Sequence, residues 1–593
     1  MVILLVGVGA FLALNGLGGS QRSGTSVVVE EESQPDTLDP SSSYVTPGWE
    51  VVEQIYQGLV SYNGTSYTSF VGVLAQNWSM SDDGMTYTFS LRHDVRFSNG
   101  DPFNAYVMWF SIYRTLVMNQ APAWILAQNL ATSNGEDFNI TDSMLNSMNY
   151  FTPSSADLAV MENPNQSVQV IDAYDIQLNL GYGYNGDQPY SAFLSTLATP
   201  MAMAVDPTFV ISNGGVTAGE PSSKLQNGAL GTGFYKLQSW IEGQSVTLVR
   251  NDAYWGNSLS ASDLNDAIAP AILKTVTIYY KTTAARIADL KSGFAQIIMA
   301  PATYYNVTSA LPGVTTNVLP DAFGSAEGVY YVYMDPNAFQ AFGDVTVRQA
   351  IASAIDYNSL IHVVFGDRAS RWTGPVPPGF PFYNEATSGV GLYQYDPSTA
   401  ATLLAKAGYV AHSPNGTTLN PGGKVFPTVN FLFDSDSPTD TQAAQVIQTD
   451  LNSIGIKIAL SPLPFKSYTG ALYSPGDDNT TYPMGIGFYS EDYTASIDYV
   501  YYFTSGNYVG TSAYQDSQVM DLTTTASTAL EDSTVIQSFQ GITQAMHDNF
   551  VDIWLYVPSI LTVNQNNITG MIQNPAGSGA GYFLYYNTVN YTG

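Results

Sequence analysis

The stretch Leu74–Ala105, LAQNWSMSDDGMTYTFSLRHDVRFSNGDPFNA, decides how the first half of the chain is interpreted. Asp83-Gly84 is a pair typical of a tight turn between two strands. Polar and apolar residues alternate after it, so that Tyr87, Phe89 and Leu91 share one face of a predicted strand. This part of the sequence therefore predicts a strand, a turn and a second strand with one buried face.

The end of the same stretch predicts the start of a helix. Asn99-Gly100 is a second turn signal. Asp101-Pro102 follows it; an aspartate can cap the first free N–H groups of a helix, and proline fits the first helical turn. We therefore expect the order strand, turn, strand, turn and helix, with Asp101 at the start of the helix.

The composition is that of an acidic chain with few charges. Its 593 residues exceed what one core usually organises, so two or three domains are expected. Charged residues make up 11% of the chain, against about 25% in ordinary soluble proteins. Asp and Glu number 49 against 18 Lys and Arg, which gives a net charge of -31. Such a chain is not expected to bind nucleic acid, whereas 45% hydrophobic residues suffice for packed cores.

Sequons for N-linked glycosylation are dense in this sequence. They begin at Asn63, Asn77, Asn139, Asn165, Asn306, Asn415, Asn479, Asn567 and Asn590. Hydroxyls, amides and glycans would then keep the protein soluble in place of ions. In acid the protonated chain would carry at most about +22, from 18 Lys and Arg plus 4 His. We expect a glycosylated protein on the cell surface of an archaeon that lives in acid. The alternative is an ordinary acidic secreted protein.

Residues 1–24 are interpreted as a targeting segment and the start of a spacer. Val2–Leu14 is an almost unbroken apolar run, shorter than the roughly 20 residues that a spanning helix needs. A signal peptide is the first interpretation, and a retained anchor extended through Leu17 is the alternative. The Ser-, Thr-, Gly- and Pro-rich stretch Gly19–Pro47 would be a spacer. The chain has no cysteine, which excludes disulfides and a lipid-modified N-terminal cysteine.

Later segments predict a mixed α/β fold. Residues 429–433 alternate as a strand, residues 438–453 have a helical pattern, and residues 456–458 begin a second strand. A strand, helix, strand unit is typical of a mostly parallel sheet with covering helices. Asp344 and Asp396-Pro397 each predict the start of another helix.

Signals for catalysis or metal binding are weak. No metal-ligand spacing links the four histidines, which are His93, His362, His412 and His547. The sequence has no nucleophile elbow, phosphate-binding loop or cysteine nucleophile. Adjacent carboxylates would suit a glycosidase, but they are far more often solvated turn residues; the pairs are Asp82-Asp83, Asp477-Asp478 and Glu491-Asp492. We expect a protein that is not an enzyme and holds no cofactor or metal.

The stretch Leu74–Ala105 resembles the signature of the extracellular solute-binding proteins of ABC importers, in the dipeptide- and oligopeptide-binding family (family 5 solute-binding proteins). The shared positions are Leu74-Ala75, Trp78, Asp83-Gly84, Tyr87-Thr88-Phe89, Leu91-Arg92, Phe97 and Asn99-Gly100. Further similar segments follow the family's order along nearly the whole chain, among them Thr37-Leu38-Asp39-Pro40, Gly231-Thr232-Gly233-Phe234-Tyr235, residues 344–351 and Tyr395-Asp396-Pro397. Departures are Gln57 for a usual Glu, Val73 for a usual Pro, and Phe294-Ala295-Gln296 for an acidic pair.

This resemblance implies an α/β, two-lobed periplasmic-binding-protein-like fold of class II, in its large three-domain form. Two crossings of the chain would form a hinge beside an interlobe cleft. The implied boundaries are residues 25–66, 190–295 and 555–593 for the first lobe, 67–189 for a subdomain inserted in it, and 296–554 for the second lobe.

The segment Gly487–Tyr493 is the strongest candidate for ligand binding. It resembles the family segment whose aspartate pairs with the α-amino group of a bound peptide, an interaction that charge strengthens. Strict spacing selects Glu491, whereas the tyrosine that follows selects Asp492, which we prefer. The alternative is a solvated acidic loop. In acid, a useful anion at this position would need its pKa lowered by its neighbours.

Aromatic residues and one cation are the other candidates for ligand contact. The resemblance places Trp372 near the cleft, and Arg371 beside it could bind a ligand carboxylate. Trp124 and Tyr489 could stack on a sugar ring or on a peptide side chain. The alternative for each aromatic residue is packing in the core or at the rim of the cleft.

The resemblance therefore implies a monomeric receptor that captures di- or oligopeptides in a cleft and delivers them to an ABC permease in the membrane. An oligosaccharide receptor of the same family is the alternative, and a structural surface glycoprotein or a secreted hydrolase is a further one. The receptor would lie at the extracellular face of the cell membrane, secreted or held there by the N-terminal apolar segment.

Overall fold

The computed structural model describes residues 24–134, 138–183, 185–222, 225, 228–319, 328–473, 481–505, 516–575 and 583–592. The apolar run Val2–Leu14, the pair Asp477-Asp478 and the sequon at Asn479 lie outside these ranges. No helix within them is long and apolar enough to cross a membrane.

The first lobe is built on one large sheet. Within the described residues this first sheet has seven strands, in the spatial order Val314–Leu319, Ile560–Gln565, Ile297–Pro301, Ser26–Glu31, Thr275–Tyr280, Ser245–Arg250 and Tyr235–Ile241. Ser26–Glu31 pairs in parallel with both neighbours, and the other pairs are antiparallel. Residues 27–31 of this strand are buried one after another. A strand buried on both faces lies inside the core, so its last residue is firmly held.

The second lobe is built on a second sheet. Its strands in the described part of the chain lie in the order Ala369–Ser370, Ile553–Pro558, Val329–Met334, Met484–Tyr489, Val429–Asp434 and Ile458–Leu463. Val429–Asp434 pairs in parallel with Ile458–Leu463, and the helix Pro438–Ile454 connects them. The predicted strand, helix, strand unit is therefore confirmed.

A third, antiparallel sheet belongs to the region inserted in the first lobe. Its strands lie in the order Ala75–Met80, Thr86–Leu91, Asp175–Asn179 and Val168–Val170. Tyr87, Phe89 and Leu91 are buried while their neighbours are half-buried. The strand, turn and strand expected from Leu74–Ala105 are thus confirmed.

The helix expected at Asp101 begins later, so that prediction is wrong. The helix is Ala105–Met118, and its cap is Asn104, whose side-chain oxygen accepts from the Val107 N–H at 2.9 Å. The Phe103 N–H donates instead to the Val95 carbonyl at 3.0 Å. This bond, next to a bridge between Arg96 and Pro102, keeps the chain extended past Asp101, and the hairpin-like turn has overridden the helix-start signal.

Other helices begin where their caps predict. The carboxylates of Asp344 and Asp396 each accept backbone N–H groups at the first turns of Val345–Ala354 and Pro397–Lys406. The remaining helices of the described residues are Thr46–Ile55, Trp124–Ala127, Asp142–Ser147, Ser155–Met161, Phe193–Leu197, Pro207–Ser212, Thr283–Ser292, Tyr305–Thr308, Tyr357–Phe365, Tyr383–Ala386, Phe465–Tyr473, Ser496–Thr504, Ser517–Thr528 and Asp532–Asp548. Short strand pairs are Val60–Tyr62 with Phe70–Gly72, Ala411–His412 with Thr418–Leu419, and Ile568–Thr569 with Asn590–Tyr591.

The chain passes between the two large sheets at two places. Ile297–Pro301 and Val314–Leu319 pair in the first sheet, so the first passage follows Leu319 rather than the expected boundary at 295/296. The second passage is short, because Ser559 alone separates Ile553–Pro558 of the second sheet from Ile560–Gln565 of the first.

Candidate functional site

A cavity of about 1130 Å³ lies between the two lobes. Its first-lobe wall is formed by residues 31–36, 44–47 and 299–301 together with Glu50 and Arg286. Its second-lobe wall is formed by Phe465, Thr469, Tyr473, residues 488–492 and Tyr502. Both lobes thus contribute to one space that is open to solvent, which is the interlobe cleft.

Part of the first-lobe wall comes from a stretch that the sequence presents as a spacer. Gly19–Pro47 contains the central strand Ser26–Glu31, and the cavity lining includes residues 31–36 and 44–47. The spacer interpretation is therefore wrong for this part of the stretch. Its Ser, Thr and Pro content reflects the turns that follow the strand; for example, the Asp36 carboxylate accepts from the Tyr44 N–H at 2.9 Å.

Two buried carboxyls stand on the first-lobe wall. Glu31 is the last residue of the central strand, and Glu50 lies on the helix Thr46–Ile55. The side chains have exposed fractions of 7% and 1%. The Tyr586 hydroxyl donates to Glu50 Oε1. Burial raises the pKa of both carboxyls, and the charge of Glu31 raises that of Glu50 further.

Arg286, the cation on this wall, already donates hydrogen bonds to neighbouring residues. Arg286 lies on the helix Thr283–Ser292, and its Nη2 donates to Glu32 Oε2 at 2.7 Å and to Thr283 Oγ1 at 2.6 Å. Glu32 is exposed, with 67% of its side chain accessible. Arg286 itself is buried, with 3% of its side chain accessible, and it has no direct ion pair with Glu31 or Glu50 within the described residues.

The second-lobe wall is aromatic. Tyr489 ends the strand Met484–Tyr489, and its ring stacks on Tyr502 with centroids 3.7 Å apart. The Tyr473 hydroxyl donates to the Phe488 carbonyl at 2.5 Å. Aromatic rings stacked in this way form a rigid surface against which a ligand can pack.

Asp492 lies in the cleft at the end of this wall. Its Oδ1 accepts from the Tyr44 hydroxyl of the first lobe at 2.6 Å. Its own N–H donates to Asp498 Oδ2 at 2.8 Å, and the Tyr489 hydroxyl donates to the same oxygen at 2.8 Å. The preferred candidate is thus an acceptor that already bridges the two lobes through Tyr44.

Burial raises the pKa of Asp492, although the hydrogen bonds from Tyr44 and Tyr489 oppose this effect. The pKa of Asp498 is raised well above its usual range, first by burial and then by the charge of Asp492. A useful anion at this position in acid would need a lowered pKa, and here burial outweighs the two hydrogen bonds that lower it. A carboxyl shielded from water by aromatic rings, with a second carboxyl beside it, holds its proton more tightly.

Glu491 also lines the cavity but is more deeply buried than Asp492. Its exposed fraction is 3%, and its Oε2 accepts from the Tyr499 hydroxyl at 2.6 Å. Both residues of the ambiguous pair therefore reach the cleft, and the two differ in the hydroxyl that each accepts from.

Trp124 stands just behind the cleft. Its indole N–H donates to the Tyr44 hydroxyl oxygen at 2.9 Å, and its ring meets the edge of Tyr493 at 6.0 Å. It thereby holds Tyr44, which in turn contacts Asp492, and it is absent from the described cavity lining. Its geometry is that of a positioning residue for Tyr44.

The structure does not support ligand contact by Trp372 or Arg371. Trp372 has an exposed fraction of 1% and packs on Trp554 with centroids 4.7 Å apart. Arg371 lies over the Tyr357 ring at 4.3 Å and donates to the Tyr393 carbonyl. Neither belongs to the described cavity lining. Trp372 is corrected to the packing alternative, because its side chain is buried in the second lobe's core. Arg371 is half-buried, and its contact with a ligand carboxylate stays a prediction.

Sequence reasoning missed Glu31, Glu50, Tyr44 and Asp498. The first two are 19 positions apart and meet only because the helix Thr46–Ile55 packs beside the end of the central strand. No motif marks such a tertiary pair. The only available signal was a glutamate at the end of an apolar strand, where ligands often bind in α/β folds. In the described part of the chain, no group of three or more His, Asp or Glu is arranged to hold a metal ion.

Comparisons with known proteins agree with this architecture. The probable D,D-dipeptide-binding periplasmic protein DdpA of Escherichia coli (strain K12) is 22% identical over 557 residues, covering 93% of this chain and 92% of that protein. The glutathione-binding protein GsiB of Shigella flexneri is 24% identical over 555 residues, covering 92% and 91%. The structure of Helicobacter pylori DppA in complex with the peptide STSA superposes with a TM-score of 0.67 at 19% identity, covering 96% of this chain and 98% of that one.

The match to a family profile is broader than any local motif. The profile described as Bacterial extracellular solute-binding proteins, family 5 Middle, matches residues 69–511. That range contains the quoted stretch Leu74–Ala105, most of the second sheet and Asp492. The chain therefore belongs to the family 5 extracellular solute-binding proteins.

Proposed function

We propose that this protein is the extracellular receptor of an ABC importer, which captures peptides between its lobes and delivers them to a membrane permease. The observation that carries the proposal is Asp492, a carboxyl in a cleft to which both lobes contribute. A peptide's α-ammonium group would bind it through a charge-assisted hydrogen bond.

The Tyr44 hydroxyl occupies the position that the ammonium group would take. Tyr44 donates to Asp492 at 2.6 Å. An ammonium group has three donors, so it could replace this bond and also reach Asp498, whose Oδ2 accepts from Tyr489 at 2.8 Å. Binding at this wall is thus an exchange of a neutral donor for a charged one.

The dimensions of the cleft favour a ligand larger than one amino acid. Pockets for drug-sized ligands measure about 300–1,000 Å³, and this cavity of about 1130 Å³ exceeds that range. The related proteins support the same ligand class, since two are described as dipeptide- or glutathione-binding and a third was solved with the peptide STSA. A short peptide that touches both walls would stabilise the closed arrangement.

A thermal-shift and calorimetry screen tests the proposal. Alanine-based di- to tetrapeptides, their N-acetylated forms and cello- or malto-oligosaccharides would be compared on the full chain. We expect stabilisation by free peptides and a loss of about tenfold or more in affinity on N-acetylation, because acetylation removes the charge that Asp492 binds. Asp492→Asn should abolish this preference, whereas Asp82→Asn, in an exposed turn, should keep it.

Stabilisation by oligosaccharides without any response to peptides would contradict the proposal. That result would favour the oligosaccharide receptor, for which the stacked Tyr489 and Tyr502 rings would serve as a sugar platform. A response to neither class, together with unchanged small-angle scattering, would favour a surface glycoprotein without a closing cleft.

The proposal extends to the protein's location and surface. We place the receptor at the extracellular face of the cell membrane as a monomer, with the apolar N-terminal run as its signal peptide or anchor. The sequons at Asn63, Asn77, Asn139, Asn165, Asn306 and Asn415 are exposed, and glycans are proposed there. Asn567 and Asn590 are half-buried, which makes them poorer acceptors. Mass spectrometry of the protein purified from its native membrane would detect both the glycans and the processed N-terminus.

A further inference from the structure

Glu31 and Glu50 lie on the first-lobe wall, away from the proposed ammonium site. We propose that these two carboxyls form a second subsite, which binds the cationic side chain of the peptide, so that the receptor prefers peptides containing arginine or lysine. This inference rests on the proposed function, since it assigns a substrate class to the same cleft. A peptide has one α-ammonium group, so a second anionic wall calls for a basic side chain.

Glu31 has an unfilled acceptor. Its exposed fraction is 7%, and its Oε1 atom has no hydrogen-bond partner among the described residues. The residue nevertheless lines the cavity, as does Glu50. A buried acceptor left without a donor costs free energy, on the order of 1–3 kcal/mol. A donor that enters from the cavity would recover that cost, and a neutral ligand without donors would not.

The charges on the cavity lining favour a cation. Six described lining residues carry carboxyls, namely Glu31, Glu32, Asp36, Glu50, Glu491 and Asp492, and Arg286 carries the one guanidinium. Arg286 donates to Glu32 and Thr283 rather than to the two buried carboxyls. Burial raises the pKa of Glu31 and the charge of Arg286 opposes that shift, but neither buried carboxyl of this pair has a direct ion pair with a cation among the described residues.

The groups around Glu31 and Glu50 determine how the ionisation of these carboxyls changes when a cation binds. Tyr586 donates to Glu50, and Tyr280 pairs in register with Glu31 on the neighbouring strand. The two carboxyls also share a side-chain hydrogen bond with each other. Glu53, Glu32 and Arg286 are further ionisable groups beside them. Burial raises the pKa of both carboxyls. A bound cation would favour their ionised forms, so binding of a basic peptide should release protons.

Arginine and citrulline peptides separate charge from shape. The two side chains are nearly the same size, but citrulline is neutral. Arginine would be placed in turn at each position of alanine tripeptides and compared by calorimetry with the citrulline peptide of the same sequence. At the favoured position we expect the arginine peptide to bind about tenfold more tightly or better, with proton release seen as a heat that depends on the buffer.

Variants of the two glutamates then test whether these residues cause the preference for arginine over citrulline. Glu31→Gln should reduce the ratio of arginine to citrulline affinity towards one, and Glu50→Gln should reduce it as well. Glu242→Gln changes an exposed glutamate outside the cleft and should leave the ratio as it is. Circular dichroism would verify that each variant is folded, and the ligand pair tests the inference on the unmodified protein even if a variant is not.

The outcomes distinguish this inference from the proposed function. Equal binding of arginine and citrulline peptides at every position would overturn the second subsite and leave the peptide receptor standing. Absence of binding by every peptide would overturn both. A preference for arginine that survives in both Glu→Gln variants, or stabilisation by Ca²⁺ alone that Glu31→Gln removes, would also overturn the assignment of this pair to a cationic side chain.

Discussion

The two walls of the cleft use carboxyl groups in opposite ways. On the second-lobe wall, Asp492 and Glu491 accept hydrogen bonds from Tyr44 and Tyr499 at 2.6 Å each. On the first-lobe wall, Glu31 keeps an acceptor without a partner in the described structure. Ligand binding at the second-lobe wall must therefore break an existing hydrogen bond. Binding at the first-lobe wall instead supplies a donor to an acceptor that has none among the described residues.

This difference separates two contributions to binding. Exchanging one donor for another yields little net free energy, about 0.5–1.5 kcal/mol for a typical hydrogen bond and more when one group is charged. A donor that binds a buried, unsatisfied acceptor removes the free-energy cost of leaving that acceptor without a hydrogen bond. We therefore expect the second-lobe wall to fix the position of a peptide's amino end and the first-lobe wall to distinguish among side chains.

The largest expected effect concerns the rigidity of the second-lobe wall. Trp372 packs behind it on Trp554 and on Phe503, with centroids 4.7 and 5.9 Å apart. Trp372→Ala should lower the free energy of unfolding by about 3–5 kcal/mol, because it leaves a cavity in the core. Chemical denaturation would measure this loss. Trp124→Ala, at a half-buried position, should cost less.

The same Trp372→Ala variant tests the corrected role of this tryptophan. If it retains its fold below the unfolding transition, its affinity for peptides should remain close to that of the unmodified protein. Weaker peptide binding at unchanged stability would show that Trp372 contacts ligand after all.

The next largest effect is a dependence of stability on pH. Asp552 precedes the strand Ile553–Pro558 of the second sheet and is fully buried, and its carboxylate oxygens have no hydrogen-bond partner among the described residues. Burial raises its pKa to about 8, although Arg348 opposes the shift. The folded protein keeps this proton up to that pH, whereas an unfolded aspartate loses it near pH 4, roughly.

The free energy of unfolding should therefore fall as pH rises from about 4 to about 8, with a contribution from Asp552 on the order of a few kcal/mol. Denaturation at several pH values would measure the slope. Burial also raises the pKa of Glu30, Glu31, Glu50 and Asp498, so Asp552→Asn should reduce the slope without removing it and stabilise the protein near pH 8. Asp82→Asn, at an exposed position, should do neither. A stability that increases with pH over this interval would contradict the prediction.

The smallest effect concerns the exchange at Asp492. Tyr44→Phe removes the hydroxyl that a peptide must displace, so affinity for free peptides should rise a few-fold, or about 1 kcal/mol. Calorimetry with free and N-acetylated peptides would detect this, since the acetylated forms should gain little. Tyr395→Phe is a suitable control, because Tyr395 is 46% exposed in the second lobe. A lower affinity in Tyr44→Phe would identify Tyr44 as a ligand contact in place of a competitor.

Local patterns predicted much of this fold because they act over short distances. The structure confirms the strand predicted from the alternation through Tyr87, Phe89 and Leu91. It also confirms the helix starts predicted at Asp344 and Asp396. The helix start at Asp101 was not, because a bond between Phe103 and Val95 decides it.

The candidate site was less predictable than the fold. Resemblance to a family segment led to Asp492, which does line the cleft. The resemblance could not predict that Trp372 packs in the core of the second lobe. It also could not predict that Glu31 and Glu50 lie side by side, because both facts depend on how elements distant in sequence pack together. The raised pKa of Asp492 was equally hidden, because it follows from burial by residues from both lobes.

The junction at Ser559 has a mechanical consequence. The chain leaves the second sheet at Pro558 and enters the first at Ile560, and the Ser559 N–H is tied to the Arg368 carbonyl at 3.1 Å. At this passage a change of angle between the sheets must be absorbed by the backbone torsions of about one residue. Rotation of the lobes about this short passage would bring the same two walls back into the same register at every closure.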